Sequence, residues 1–282
     1  MKLAFIGGGN MAQALIAGLK SKQFSMCDIT VVELDKQKRD DLEQQFGVKA
    51  TCELAETAVC DTVVLAVKPQ QLAALAATLS PWLKTQLIIS IAAGVRVADL
   101  SIWLNHYPTI VRAMPNTPAQ IQAGITGLYA SPTVSIAQIA AADQVLKAAG
   151  ETIWFDNETK LDAVTAISGS GPAYVFYLIE ALAAAAHSLD LTEAEAKQLS
   201  IATFKGASLL AATSQTSVAR LREQVTSKGG TTEQGLLSLE QSEVKEAIKK
   251  ATTSAYARAI SLGDELSKVA VDSGNTNALF NK

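Results

Sequence analysis

The stretch Gly7-Gly8-Gly9-Asn10-Met11-Ala12 has the glycine spacing of a turn that holds a dinucleotide pyrophosphate, G-x-G-x-x-A. In that pattern Gly7 permits the tight turn, Gly9 lets backbone approach the phosphates, and Ala12 allows close packing of helix on strand. The helix N-terminus that follows adds amide donors and partial positive charge. Glu33 stands 21 positions after Ala12, near the roughly 20-residue offset at which a carboxylate accepts the ribose 2′-hydroxyl. With Leu34 beside it, Glu33 favours NAD by repelling a 2′-phosphate. Lys36, Lys38 and Arg39 follow at once, either as cations for that phosphate or as a solvated helix face. NADP(H) and NAD(H) are therefore both expected cofactors.

A second cluster is VTSKGGTTEQGL (225–236), which interrupts about 120 residues of otherwise helical pattern. Two adjacent glycines cost a helix interior about 1 kcal/mol each relative to alanine. Glycines also let successive backbone N–H groups converge as an anion nest. Thr231 with Gln234 three residues on matches a capping box, and a helix N-terminus there adds favourable charge for a carboxylate. The alternative is a glycine-rich turn between two helices.

These residues need elements to position them. The first ~155 residues alternate apolar runs, LAFIG (3–7), ITVVE (29–33), TVVLAV (62–67), LIISIAA (87–93), TIVRAM (109–114), ITGLYA (125–130) and TIWF (152–155), with helical patterns over 10–20, 36–46, 70–80 and 135–148. Nearly continuous Val/Ile/Leu strands alternating with helices predict a mainly parallel sheet covered on both faces. AVKPQ (66–70) and SIAAGV (90–95) end buried strands in loops, where open parallel sheets bind ligands. Lys68 before Pro69 reads either as a helix start, with Pro69 at the first position, or as a cation aimed at the cofactor. From about Lys160 the pattern is Ala/Leu-rich and helical. The expected division is a dinucleotide-binding Rossmann-type α/β domain at 1–158 and an all-helical domain at 159–282, with a frayed tail over 271–282.

Composition narrows the function classes. Hydrophobic residues make up 49% of the 282, and the net charge of −3 comes without a basic run, so no nucleic-acid partner is expected. Cys27, Cys52 and Cys60 are an odd count without metal-like spacing, and His106 and His187 are the two histidines. No metal site or disulfide framework is expected, and the reducing cytoplasm fits best. The apolar run Leu3–Ile6 is too short for a signal segment, and no run reaches a membrane span.

Several motifs together resemble one family, the pyrroline-5-carboxylate reductases: IGGGNMA (6–12), AVKPQ, SIAAGV, RAMPNTPA (112–119), ISGSGPAYVF (167–176) and VTSKGGTT (225–232). They run through almost the whole chain in the family's order. The resemblance implies hydride transfer from NAD(P)H to the C=N bond of 1-pyrroline-5-carboxylate, giving L-proline in the last step of proline biosynthesis. It also implies a homodimer through the helical domain, with a higher ring such as a decamer.

Carried over by position, Ile6, Gly7, Gly8, Gly9, Asn10, Met11, Ala66, Val67, Lys68, Pro69, Ile91, Ala92 and Ala93 would line the cofactor, as would Glu53 and Gln224. Ser227, Gly229, Gly230, Thr231 and Thr232 would bind the substrate carboxylate, with Gly230, Thr231 and Thr232 giving backbone amides. Thr232 would be the catalytic position, its hydroxyl bonding the ring nitrogen as an orienter or a proton relay rather than a strong acid. Ser168 and Ser170 would either cap a helix or contact the ring, and Asn116 would be either a turn residue or part of the pocket. Two residues depart from the family: Lys228 stands where proline is usual, and Glu33 replaces a small polar residue. A β-hydroxyacid dehydrogenase is the nearest rival, but no lysine lies between Lys160 and Lys197 to serve as its catalytic base. A non-catalytic dinucleotide sensor is the other.

Overall fold

A computed structural model describes residues 1–272, so the expected frayed tail past Asp272 lies outside the described residues. β1 (Leu3–Ile6), β2 (Ile29–Val32), β3 (Lys49–Thr51), β4 (Thr62–Leu65), β5 (Leu87–Ser90), β6 (Ile110–Met114), β7 (Gly124–Ala130) and β8 (Gly150–Trp154) form one sheet, ordered β3-β2-β1-β4-β5-β6-β7-β8. All neighbours pair in parallel except β6 and β7. The expected mainly parallel sheet is therefore present.

Every residue of β1, β4 and β5 is buried, because helices cover both faces of the sheet. Side chains alternate across it. Leu3 and Phe5 face one apolar layer with α1 (Asn10–Ser21) and α5 (Ile136–Leu146). Ala4 and Ile6 face another with α3 (Pro69–Leu79) and α4 (Val97–Trp103). Each buried Leu, Ile or Phe contributes about 1.5–3 kcal/mol through lost apolar exposure. α2 (Lys36–Phe46) starts where Asp35 accepts from the Lys38 amide and ends at Gly47 in the left-handed region. Residues 97–103 and 49–51 were not anticipated as elements.

After β8, α6 (Lys160–Val164) still packs on the sheet, since a side chain at Gly127 would strike Val164 and Leu161. A π-helical turn, Thr165–Gly169, follows. The compact units therefore differ from a single cut at 158/159: Met1–Ser170 is joined by the segment starting at Ala255, and Gly171–Ser254 forms the second unit. The returning segment belongs to α11 (Val244–Asp272). Its Leu262 and Leu266 pack into the α3–α4 layer, Asp264 pairs with Arg96 at 2.6 Å, and Ser267 donates to Asp99 at 2.6 Å.

The second unit contains α7 (Gly171–His187), α8 (Glu193–Thr213), α9 (Val218–Gln224), α10 (Thr231–Gln241) and the start of α11. Thr192 and Glu195 form a capping box at the start of α8. Phe176, Tyr177, Leu209, Leu210 and Leu239 are all more than half exposed. Within this unit α8 buries only Ala196 and Ser200. Such an apolar surface marks a face made for another protein surface.

One buried ionic cluster ties β6 to the chain after β8. Arg112, 4% exposed, donates to Glu158 and to Asp162, each at 3.0 Å. The same Glu158 oxygen accepts the Val97 amide at 2.8 Å. Removing one partner of a buried pair strands the other charge, at a cost of about 3–5 kcal/mol. Arg112→Ala is expected to lower stability by that amount, read as a reduced urea midpoint.

Candidate functional site

Gly7 follows β1 with φ +96° and donates to the Val32 carbonyl at 2.8 Å. A Cβ there would lie 2.8 Å from the Ala66 carbonyl oxygen, so glycine is required by both conformation and space. Gly9 is the N-cap of α1, with no side-chain cap and no acid in the first turn. A Cβ added to Gly9 would meet nothing within 4 Å. This free helix start with open space before it fits a pyrophosphate. Ala12 is buried against the core, as the third fingerprint position should be.

Side chains hold the turn from behind. Glu33 Oε2 accepts the Gly8 amide at 3.0 Å, and its Oε1 accepts the Asp35 amide at 3.1 Å. Gln13 donates to the Gly8 carbonyl at 2.8 Å. Arg39 donates to the carbonyls of Glu33 and Leu34, each at 2.8 Å. It therefore fastens the β2 end rather than joining a free cationic face.

A cleft of about 360 Å³ opens at the carboxyl ends of β1, β2 and β4. Ile6, Gly7, Gly9, Glu33, Leu34, Ala66, Val67 and Lys68 line it, as expected of cofactor residues. Lys68 is the N-cap of α3 and Pro69 is its first residue, so Lys68 both precedes a helix start and faces the cleft. Lys38 and Gln71 also line it. Gln71 and Gln13 were missed; the available signal was Gln71's place one helical turn after Lys68.

Other expected cofactor positions lie outside this lining. Gly8 sits behind the turn, bound to Glu33. Asn10 begins α1, and Met11 packs against the core. Lys36 begins α2 on the exposed surface. Glu53 precedes a short 3-10 turn, where its carboxylate accepts from Cys52. Ile91, Ala92 and Ala93 follow β5; Ala92 is buried in the α3–α4 layer. Asn116 accepts the Ile125 amide at 2.9 Å, which fixes the approach to β7. Gln224 closes α9 in the helical unit.

In the helical unit, the Gly230 amide donates to the Ser227 carbonyl at 3.0 Å, and Gly229 has φ +74°. This is a four-residue turn whose third position needs positive φ, as type II requires. A Cβ at Gly230 would come within 2.6 Å of Ser227 Oγ and 3.0 Å of its carbonyl oxygen. One glycine is needed for conformation and the other for close approach. Lys228 occupies the second turn position, where proline is favoured.

The expected capping box does not form. Gly230 is the N-cap of α10, which makes Thr231 the first helical residue. The reach-back is made by Glu233, whose Oε2 accepts the Gly229 amide at 2.7 Å. Because the Gly230 amide is committed to the turn, the outward donors are those of Thr231 and Thr232 in the uncapped first helical turn. Thr232 itself is exposed.

Ser168 donates to the Val164 carbonyl at 3.0 Å, so its hydroxyl neither caps a helix nor stands free. Ser170 closes the π turn through its amide, bound to Thr165 at 2.8 Å. His187 is exposed and bonded to the Leu191 carbonyl at the end of α7. Cys27 and Cys52 are exposed free thiols, whereas Cys60 is buried, and that burial pushes its thiol up from the ordinary value. Among the described residues, no His/Cys/Asp/Glu group is arranged to hold a metal, and no helix is long and apolar enough to cross a membrane.

Comparison with known proteins converges on one family. A model described as pyrroline-5-carboxylate reductase dimerisation matches residues 158–262, and one described as NADP oxidoreductase coenzyme F420-dependent matches 2–94. The chain is 41% identical to the pyrroline-5-carboxylate reductase of Pseudomonas aeruginosa, over 94% of this chain and 98% of that one. Its identity to the Vibrio alginolyticus enzyme of that name is 36%, over 92% and 96%. Among solved structures, the Coxiella burnetii pyrroline-5-carboxylate reductase superposes with a TM-score of 0.88 at 40% identity, covering 93% of this chain and 98% of that one. The Plasmodium falciparum pyrroline carboxylate reductase, with NADP bound, gives 0.84 at 28% identity over the same shares.

Two substitutions test the Ser227–Gly230 turn. Lys228→Pro should stabilise the protein by about 0.4–1 kcal/mol by restricting the unfolded chain, and Gly229→Ala should destabilise it by more than that. Chemical denaturation of both variants checks the opposite signs.

Proposed function

The chain belongs to the pyrroline-5-carboxylate reductase family and reduces 1-pyrroline-5-carboxylate to L-proline with NAD(P)H, and we propose that its two glycine turns divide the work. The Gly7–Gly9 turn holds the cofactor pyrophosphate, with Glu33 at the ribose and Lys68 at the cleft wall. The Ser227–Thr232 segment holds the substrate carboxylate. The observation that carries this reading is the uncapped start of α10, where Thr231 and Thr232 present amides after a turn shaped by two glycines.

Bound NAD(P)H supplies the hydride that adds to the carbon of the C=N bond. The protonated imine is already a strong electrophile, so the chain needs no covalent nucleophile. As that carbon gains the hydride, the C=N π pair moves to nitrogen and the ring amine forms. The chain's contribution is positioning and electrostatics. The amides of Thr231 and Thr232 grip the carboxylate, and the Thr232 hydroxyl bonds the ring nitrogen. That hydroxyl orients rather than acts as an acid, since a threonine does not titrate near neutral pH. Ser170, at the end of the π turn, belongs to the substrate side; π turns recur at functional sites. Gln224, Glu53, Ile91–Ala93 and Asn116 complete the cofactor side on the strength of their positions in the family pattern.

The family places this chain as a homo-oligomer. We assign the dimer contact to the exposed apolar faces of the helical unit, and the assembly of dimers to a higher ring such as a decamer. The functional division between cofactor and substrate halves is drawn at 158/159, which the dimerisation model's start at residue 158 supports. Exposed free thiols at Cys27 and Cys52 support a cytoplasmic location.

Turnover of 1-pyrroline-5-carboxylate, followed as loss of reduced-nicotinamide absorbance, tests the reading; a well-folded chain inert with both cofactors would refute it. One hydrogen bond to a charged group is worth about 1.5–3 kcal/mol, so Thr232→Ala should lower kcat/KM about 10–100-fold. Unchanged kinetics would remove Thr232 from the site.

A further inference from the structure

We propose that this reductase selects NADH over NADPH, and that the carboxylate of Glu33, held in place by the backbone around it, makes the selection. The proposal rests on the cofactor cleft assigned above and concerns one end of it, the rim formed by the close of β2.

Glu33 lines the cleft, and its orientation is fixed. One carboxylate oxygen takes the Gly8 amide at 3.0 Å and the other takes the Asp35 amide at 3.1 Å. Bound at both oxygens, the side chain has little freedom to swing away from an incoming phosphate. A carboxylate in this position accepts the ribose 2′-hydroxyl and repels a 2′-phosphate.

One of the neighbouring cations that could reverse this preference is already committed to backbone through its Nη1. Arg39 is the guanidinium nearest in sequence, and it donates to the Glu33 and Leu34 carbonyls. The start of α2 would offer amides to a phosphate, but the Asp35 carboxylate already accepts the Lys38 amide there. A second negative charge thus stands beside the first. Against these two carboxylates stand Lys36, on the exposed start of α2, and Lys38, whose side chain reaches the cleft wall. A lysine is a flexible, strongly hydrated charge and grips a phosphate less firmly than a bidentate guanidinium. The local balance therefore disfavours the extra phosphate. The Plasmodium falciparum relative, in contrast, carries NADP in its solved structure.

Direct binding of NADH and NADPH to the full chain, by isothermal titration calorimetry, reads the selection without turnover. Repulsion between charges roughly 4 Å apart in a partly screened site corresponds to about a 10- to 100-fold weaker Kd for NADPH. Glu33→Gln keeps an oxygen acceptor for the Gly8 amide while removing the charge. It should tighten NADPH about 10-fold or more, while NADH, whose 2′-hydroxyl loses a charged acceptor, weakens. Glu33→Ser should move the ratio in the same direction, and thermal unfolding reports separately whether the loss of the Gly8 contact loosens the fold. Equal wild-type affinities, or a wild-type preference for NADPH, would overturn the selection while leaving the cofactor cleft intact. An unchanged ratio in Glu33→Gln would overturn the role of Glu33. Failure of both nucleotides to bind the folded wild type would instead overturn the cleft assignment, and this proposal with it.

Discussion

The cofactor half of the molecule depends on one steric fact: at Gly7 there is room for a hydrogen and nothing larger. Its Cα faces the Ala66 carbonyl, and its positive φ turns the chain from strand to helix in minimal space. Because β1 pairs with both β2 and β4, that turn brings the ends of three strands together. Gln13, Glu33 and Val32 then hold the loop through its own backbone groups. The amides at the start of α1 are left for a ligand. A rigid loop whose other polar groups are satisfied internally presents those donors already ordered, which lowers the entropic cost of binding.

The helical unit solves a similar problem differently. Its alanine-rich helices bury little of their own surface, so their large apolar residues stay exposed in a single chain. Small side chains allow helices to approach closely, and the bulky residues spaced among them stay available for association. The Ser227–Gly230 turn sits in this unit, and it too is shaped by glycines. Here one glycine supplies the angle and the other the clearance, and an internal carboxylate, Glu233, steadies the bend. Much of this unit's apolar packing is therefore left to association.

Strands buried on both faces were legible because a continuous run of Val, Ile and Leu suits a strand covered by helices above and below; β1, β4 and β5 fall where those runs lie. β3 was invisible, since Lys49-Ala50-Thr51 has no apolar pattern and pairs only at the sheet edge. α4 is seven residues long, too short for periodicity to register. The reversed β7 had a signal that went unused. Only nine residues separate Met114 from Gly124, fewer than the dozen or so that a parallel crossover needs. Around the cleft, the Gly7 turn and the place of Glu33 at the end of β2 could be read because they follow from residue type and spacing. Gln13 and Arg39 could not, since polar side chains that brace backbone carbonyls look like ordinary surface residues until the loop is folded. The N-cap at Gly230 rather than Thr231 was a one-residue ambiguity, resolved by the clearance Gly230 provides beside Ser227.

The return of α11 to the first unit has a bearing on how the chain is made. Gly94 has φ +78° and lies against Leu262, while a side chain at Gly263 would meet the Gly94 carbonyl. These residues, with Leu266, cover part of the layer beside α3 and α4. Synthesis runs from the amino end, so the ribosome has delivered the whole sheet before Leu262 exists. During that interval a nascent Rossmann unit carries an uncovered apolar strip. The strip is sealed only after the intervening helical segment has emerged, which makes the last helix the closing event in the maturation of the first-made half.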